Sequence, residues 1–338
     1  MTVQRLRDTL WLKRLTGIEK LWKVARKGDP EGVHQLRVAS RRIREALPIL
    51  ADGNHPHRAR RMQRTVRSLT RSLGPVRECD VSLLLLEAFE QSHPENQSAI
   101  QVVRQAVVDE RKKLQDVLRE HLDSTSAGEL SHKLTKATRR KKKAGAGHRN
   151  TASADGGGSE ERWRLALAAR IVRRSKQLEQ CIEHAGALYA PDRLHGVRVS
   201  VKKLRYALEL GQEARLGRLT AAIRLLKKMQ DNLGELHDRE MLLDHVRTVH
   251  AEQGHPALFE SLQRFTRLLE EETRHYHAQF VVHREDLAKL CVNARQQVSD
   301  VVPIGRPARR RPAKASHRRA ARPHLAADRA SLQELTTR

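Results

Sequence analysis

Aromatic residues, cysteines and long apolar segments are scarce in this chain. Only 3% of its 338 residues are Phe, Trp or Tyr, which argues against a binder that stacks single-stranded bases on exposed rings. The three cysteines, Cys79, Cys181 and Cys291, are too few and too scattered for a disulfide framework or a CxxC metal site, and they favour a reducing, cytoplasmic location. No stretch approaches about 18 apolar residues without charges, and the N-terminal residues are charged throughout, so we expect no membrane span and no secretory signal.

Positive charge, by contrast, is abundant. The chain has 66 Lys and Arg against 40 Asp and Glu, and its formal net charge at pH 7 is +26. A charge of this size attracts polyanions such as nucleic acid, an anionic membrane or inorganic polyphosphate.

A fourteen-residue segment occurs twice. HQLRVASRRIREAL, at residues 34–47, returns 161 positions later as HGVRVSVKKLRYAL, at residues 195–208, with six positions identical. A second pair follows, because LGPVRECD at 73–80 corresponds to LGELHDRE at 233–240. The sequence therefore predicts one basic helical unit used twice.

Helical periodicity extends through almost the whole chain, and no segment shows the sustained alternation of a strand. We predict an all-α protein with about five helices in each half, separated by Gly and Pro breakers. In lobe one, residues 3–122, the predicted helices are 3–27, 31–51, 57–73, 76–91 and 95–122. In lobe two, residues 160–295, they are 160–188, 192–212, 214–233, 235–252 and 256–295.

Two segments have the composition of unstructured chain. Residues 124–159 contain a cationic cluster followed by Gly and Ser, which predicts a flexible linker. Residues 301–338 are rich in Arg, Pro and Ala, and we predict a disordered basic tail that anchors polyanions without selectivity.

The duplicated segment places cations on one helix face. At about 100° per residue, one stripe of the first copy and its counterpart in the second copy carry a histidine and three cations each. These residues are His34, Arg37, Arg41 and Arg44, and His195, Arg198, Lys202 and Arg205. Like charges three and four positions apart repel, and no acid lies in either stripe, so the pattern indicates that a bound anion supplies the missing charge.

The following helix of each half carries a further cationic row. The row in lobe one is Arg60, Arg64, Arg67 and Arg71, and the row in lobe two is Arg224, Lys227 and Lys228. Packed antiparallel, the two helices would form a groove or tunnel wall several turns long and suited to a linear polyanion, to which arginine donates paired hydrogen bonds. The alternative is an ordinary basic surface that binds nucleic acid without selectivity.

His34 and His195 occupy the first position of each stripe, near a helix N-terminus, where the backbone dipole also favours anions. Phosphate nearby would raise the pKa of each imidazole and favour its charged form. We therefore predict anion contact; metal ligation and a phosphoacceptor role are the alternatives.

The motif H-x-x-R-V-x-x-R-R-[IL]-R-x-A-L, duplicated, resembles the CHAD family, the conserved histidine α-helical domain. LGPVRECDV at 73–81 and MQDNLGELHD at 229–238 resemble the same family, and the resemblance covers residues 3–295. It implies two helical bundles related by a pseudo-twofold axis around a basic central cavity. It also implies binding of inorganic polyphosphate and association with polyphosphate granules. No ExExK motif of a triphosphate-tunnel (CYTH) domain precedes the first copy, so we expect a stand-alone CHAD protein.

Carried over by position, the resemblance implies two sets of polyphosphate-binding residues. The first set is His34, Arg37, Arg41, Arg44, His195, Arg198, Lys202 and Arg205. The second set is Arg64, Arg67, Arg71, Arg77, Arg224, Lys227 and Lys228. The R-D-x-D of the family is Arg77-Glu78-Cys79-Asp80 here, a departure that could weaken the orienting role of its first acid.

Motifs for catalysis are missing from the sequence, which has no P-loop, no HExxH and no clustered carboxylate ligands. We therefore expect a non-catalytic polyphosphate-binding protein in the cytoplasm, without metal or cofactor. The alternative is a histone-like, non-specific nucleic-acid-binding protein that acts through residues 301–338 and the basic surface.

Overall fold

The computed structural model describes residues 3–50, 56–138, 155–252 and 256–301, and these residues form α-helices joined by short connections and one 3-10 turn, Pro94–Asn96. No strand occurs in these four ranges, and the predicted all-α class is confirmed. The helices are α1 Val3–Leu15, α2 Ile18–Arg26, α3 Pro30–Leu50, α4 Pro56–Ser92, α5 Gln97–Asp123, α6 Ala127–Thr138, α7 Asp155–Ala185, α8 Pro191–Glu213, α9 Thr220–Glu252 and α10 Pro256–Val301.

Local chemistry explains several helix ends. Helices α3, α4, α8 and α10 begin at a proline, whose fixed φ and missing N–H suit the first helical position. At α3, the Asp29 carboxylate accepts a hydrogen bond from the Gly32 amide at 2.6 Å, which satisfies one of the free N–H groups of the first turn. The single helix predicted over 3–27 is instead two helices, because Gly17 adopts a left-handed φ of 85° between α1 and α2.

The predicted breaks at Gly74-Pro75 and Gly234 are wrong, because both sites lie inside continuous helices, α4 and α9. A proline within a helix costs a hydrogen bond and favours a kink. At α4, tertiary packing outweighs this cost, since Leu73 and Val76 on either side of the pair are completely buried. The prediction failed because local propensity is only a weak guide where packing is strong.

Helix α6 lies within the segment 124–159 that was predicted to be linker. Its Leu130 and Leu134 are buried, and the helix packs against α1, α2 and α4. The sequence-based prediction missed this short amphipathic helix because the segment after it is basic and rich in Gly. Residues 124–126 of the predicted linker connect α5 to α6. Residues 139–154 of that linker and the predicted disordered tail after residue 301 lie outside the described residues.

The two halves of the duplication share their cores. Helix α3 packs against α8 and α7 of the other half, and α4 and α5 pack against α9. A second core joins the C-terminal parts of α4 and α9 to α5 and α10, where the rings of Phe89 and Phe265 meet edge to face at 5.5 Å. The duplicated segments therefore meet in the middle of one body, although a pseudo-twofold axis stays a prediction. In the part of the chain described, no helix has the length and apolar character required to cross a membrane.

Candidate functional site

A cavity of about 300 Å³ lies where α3 and α4 of the first half meet α8 and α9 of the second. Most of its basic lining comes from three of these helices. The basic residues on α3, α4 and α8 are His34, Arg37, Arg41, Arg77, Arg198 and Lys202. The structure thus brings together six of the residues proposed from the sequence.

Two arginines of the cavity have acid partners at equivalent positions of the duplication. The Arg37 guanidinium lies 3.5 Å from the Glu78 carboxylate, and that of Arg198 lies 3.6 Å from the Asp238 carboxylate. Arg37 also donates a hydrogen bond to the carbonyl oxygen of Thr70 at 3.1 Å. Glu78 and its counterpart Asp238 therefore each contact an arginine, and both pairs hold an arginine at the cavity wall.

Three further cations of the cavity have no such partner. Arg41, Arg77 and Lys202 form neither an ion pair nor a hydrogen bond with any residue that the structure describes. They come from α3, α4 and α8, so both halves of the chain contribute basic groups without an ion-pair partner among the described residues.

The pKa values reflect this crowding of positive charge. Burial, together with the charges of Arg198 and Arg41, lowers the pKa of Lys202 to about 6. Burial and the charge of Arg41 lower the pKa of Arg37 to about 10, although Glu78 acts in the opposite direction. Both shifts mean that the cavity favours loss of positive charge, which a bound anion would reverse.

Acids also line the cavity. Helix α9 contributes Asp231, Glu235 and Asp238, and α4 contributes Glu78. The two predicted stripes carry no acid themselves, but neighbouring helices supply some of the opposite charge. The hypothesis that a bound anion supplies all of it is therefore too strong, because it considered each helix alone.

The two motif histidines lie in different surroundings. His34 lines the cavity, and its pKa is lowered by burial and by the charge of Arg77. His195 lines a neighbouring groove of about 580 Å³, which shares His237 with the cavity. The ring of His195 lies 5.2 Å from that of His237. The pKa of His195 is lowered by loss of hydration and by His237. The duplication is unequal here because His237 occupies the position that corresponds to Arg77.

The other predicted site residues lie outside the cavity lining. Arg205 is already engaged, because it donates hydrogen bonds to Gln230 at 2.9 Å and to Glu209 at 2.5 Å. Arg44 continues the stripe of α3 beyond the cavity. The remaining residues are exposed on α4 and α9, and they are Arg64, Arg67, Arg71, Arg224, Lys227 and Lys228.

The sequence-based site omitted most of the α9 wall. Gln230, Gly234 and His237 line the cavity together with the acids of that helix. Alignment of LGELHDRE with LGPVRECD would have indicated His237, because its counterpart Arg77 was included. Nothing in the periodicity of α9 indicated that Gln230 points towards the same space. Within the described ranges, no group of three or more His, Cys, Asp or Glu is placed to hold a metal ion.

The fold and the cavity define an internally duplicated, all-helical protein with cations gathered between its two halves. The family model of the CHAD domain matches residues 10–247, and the chain belongs to the CHAD domain family. The chain is also similar to the crystal structure of the CHAD domain from the plant Ricinus communis, with a TM-score of 0.56, 19% identity, and coverage of 87% of this chain and 92% of that one. At this identity the likeness concerns the fold alone. No curated protein matches the chain.

Proposed function

We propose that this protein binds inorganic polyphosphate in the cavity and does not catalyse its turnover. The observation that carries the proposal is the convergence of Arg41, Arg77 and Lys202, three cations without a partner among the described residues, from three helices. CHAD domains are known in general for association with polyphosphate, which agrees with this choice of anion.

The size of the cavity supports a single phosphate chain as its occupant. A volume of about 300 Å³ lies at the lower end of the range for small-ligand sites. An unbranched phosphate chain can place oxygens beside cations on several helices at once. A nucleic-acid duplex is much too wide to enter and could contact only the rim.

The arginine partners of two of the four cavity acids favour binding rather than catalysis. Phosphoryl transfer usually requires a positioned nucleophile and a metal held by carboxylates. Glu78 and Asp238 instead lie beside Arg37 and Arg198, where they orient the two guanidinium groups.

Association with polyphosphate granules in the cytoplasm follows as part of the proposal. A long polymer extends beyond one cavity and offers sites for many copies of the protein. Such multivalent attachment would concentrate the protein wherever the polymer accumulates.

A competition titration tests the proposal. Long-chain polyphosphate and duplex DNA would compete for the full chain, and for a version that ends after Val301, at one fixed salt concentration. We expect polyphosphate to displace DNA from both versions with similar affinity. A preference for DNA that disappears with residues 302–338 would contradict the proposal and favour the histone-like alternative.

A further inference from the structure

Positive charge continues beyond the cavity at Arg44, one turn after Arg41 on α3. Burial lowers the pKa of Arg44, and the charges of Arg41, Arg67 and Arg174 lower it further. Cations of α3, α4 and α7 are therefore close neighbours here. Neither Arg44 nor Arg67 has an ion pair or hydrogen bond with another described residue.

The acid in this neighbourhood is already shared between two cations. Glu45 is 7% exposed, and its carboxylate accepts hydrogen bonds from Arg170 at 2.6 Å and from Arg174 at 3.1 Å. One carboxylate thus lies among four cations, which are Arg44, Arg170, Arg174 and Lys203. Arg67 lies near Arg44. The balance of charge remains strongly positive after the ion pairs are made.

Lys203 of α8 connects this cluster to a groove. Its pKa is lowered by burial and by the charges of Arg174 and Arg44. Lys203 also lines a groove of about 590 Å³ beside α7 and α8, whose lining includes amides, the Ser200 hydroxyl and Arg193, with Asp192 as its one acid among the described residues. Cations and hydrogen-bond donors therefore extend from the cavity to the surface of α7 and α8.

We propose that the anion-binding surface extends from the cavity past Arg44, across Arg67 and Lys203, to this groove. Residues along this surface bind further units of the phosphate chain that occupies the cavity. This inference rests on the proposed function and makes it more specific, because it assigns long chains a second contact region that short chains do not reach. Residues of α7, a helix outside both repeats of the motif, become part of the binding surface.

The stripe in the second copy of the segment does not continue into a comparable binding surface. Arg205 is the counterpart of Arg44, but Glu209 and Gln230 accept its hydrogen bonds. Glu209 also lies 3.7 Å from the guanidinium of Arg42. Because intramolecular partners occupy Arg205, the extension has one direction, towards α7.

The test compares long and short phosphate chains on the full-length protein. The variant Arg67→Gln/Lys203→Gln removes two cations that have no hydrogen-bond or ion-pair partner among the described residues, and it leaves the hydrogen bonds of Glu45 with Arg170 and Arg174 in place. Neither residue lines the cavity. We expect its affinity for long-chain polyphosphate to fall about tenfold, with a salt slope smaller by about 1.4, since each phosphate contact on a single strand contributes about 0.7. Its affinity for tripolyphosphate should equal that of the wild type.

Two control variants separate a local effect from a general effect of net charge. Lys112→Gln/Lys113→Gln on α5 makes the same change in net charge at exposed positions, and should leave both affinities unchanged. Arg67→Lys/Lys203→Arg keeps the charge and should retain long-chain binding. Thermal unfolding would show whether each variant is folded.

An equal loss for both chain lengths, or an equal loss in the α5 control, would overturn the extension while leaving the cavity as the binding site. Unchanged long-chain binding in Arg67→Gln/Lys203→Gln would also overturn it. Failure of the wild type to bind either chain would instead refute the proposed function, and the extension with it.

Discussion

Arg41 and Lys202 occupy the same position in the two copies of the duplicated segment, and both line one cavity. The pKa of Lys202 is about 6 because of burial and the charges of Arg198 and Arg41. Equivalent basic groups from the two halves are thus held close together, and Asp238 only partly offsets the effect of burial and of the neighbouring arginines on Lys202. A bound anion would stabilise the charged form of Lys202, so this arrangement favours anion binding.

The cations without partners should control the salt dependence of binding. Replacing Arg41, Arg77 and Lys202 by Gln should weaken polyphosphate binding and reduce the slope of log K against log salt by about 2, because fewer counterions are released. Titration at several salt concentrations measures both quantities. An affinity and slope identical to those of the wild type would refute the cavity as the binding site.

Lys202 should also make stability depend on pH. Its pKa is lowered from 10.5 to about 6 in the folded protein, so the unfolded chain binds more protons between these pH values. The free energy of unfolding should therefore rise with pH through this window, and the penalty for the charged amine should be fully present below about pH 6.

Lys202→Met should remove that penalty. We expect a gain of about 2 kcal/mol near pH 6 that declines towards pH 10, as measured by urea unfolding across the pH range. A gain that does not vary with pH would show that packing, rather than the charge of Lys202, was responsible.

The two motif histidines should differ in effect. His34→Gln should weaken polyphosphate binding at low pH and remove part of its pH dependence, because phosphate favours the imidazolium and affinity falls as pH rises through the bound-state pKa. His195→Gln should have little effect, since His195 lines the other groove. Titrations from pH 5 to 8 would measure this. Binding that requires metal, and that a chelator abolishes, would contradict anion contact by His34.

Gly74 and Gly234 provide a matched pair at equivalent positions of the duplication. A Cβ at Gly74 would come within 2.6 Å of an Arg37 guanidinium nitrogen, whereas a Cβ at Gly234 meets nothing within 4 Å. Gly234→Ala should stabilise the protein by about 0.5–1 kcal/mol, as expected within a helix.

Gly74→Ala should gain less or lose stability, because Arg37 must move away from the Thr70 carbonyl. Chemical unfolding of both variants tests the pair. Equal gains in stability would show that Arg37 adapts without cost.

Much of the fold and part of the site followed from local pattern. Helical periodicity predicted the all-α class, and the spacing of the duplicated segment placed Arg37 and Arg41 on one face. The helix breaks at Gly74-Pro75 and Gly234 were predicted wrongly, because burial of the surrounding side chains outweighs the intrinsic preferences of Gly and Pro. Helix α6 was missed because its stability comes from packing Leu130 and Leu134 against other helices.

The sequence by itself determined the duplication, the helical periodicity and the cationic stripes, since these depend on residues a few positions apart. Only the tertiary structure decided which cations remain without a partner. Arg44 and Arg205 are equivalent in sequence, yet only Arg205 is bound by Glu209. His34 and His195 are equivalent too, yet only His34 faces the cavity. The physical reason is that the hydration and charge partners of a side chain depend on helices distant in the chain, which periodicity within one helix does not encode.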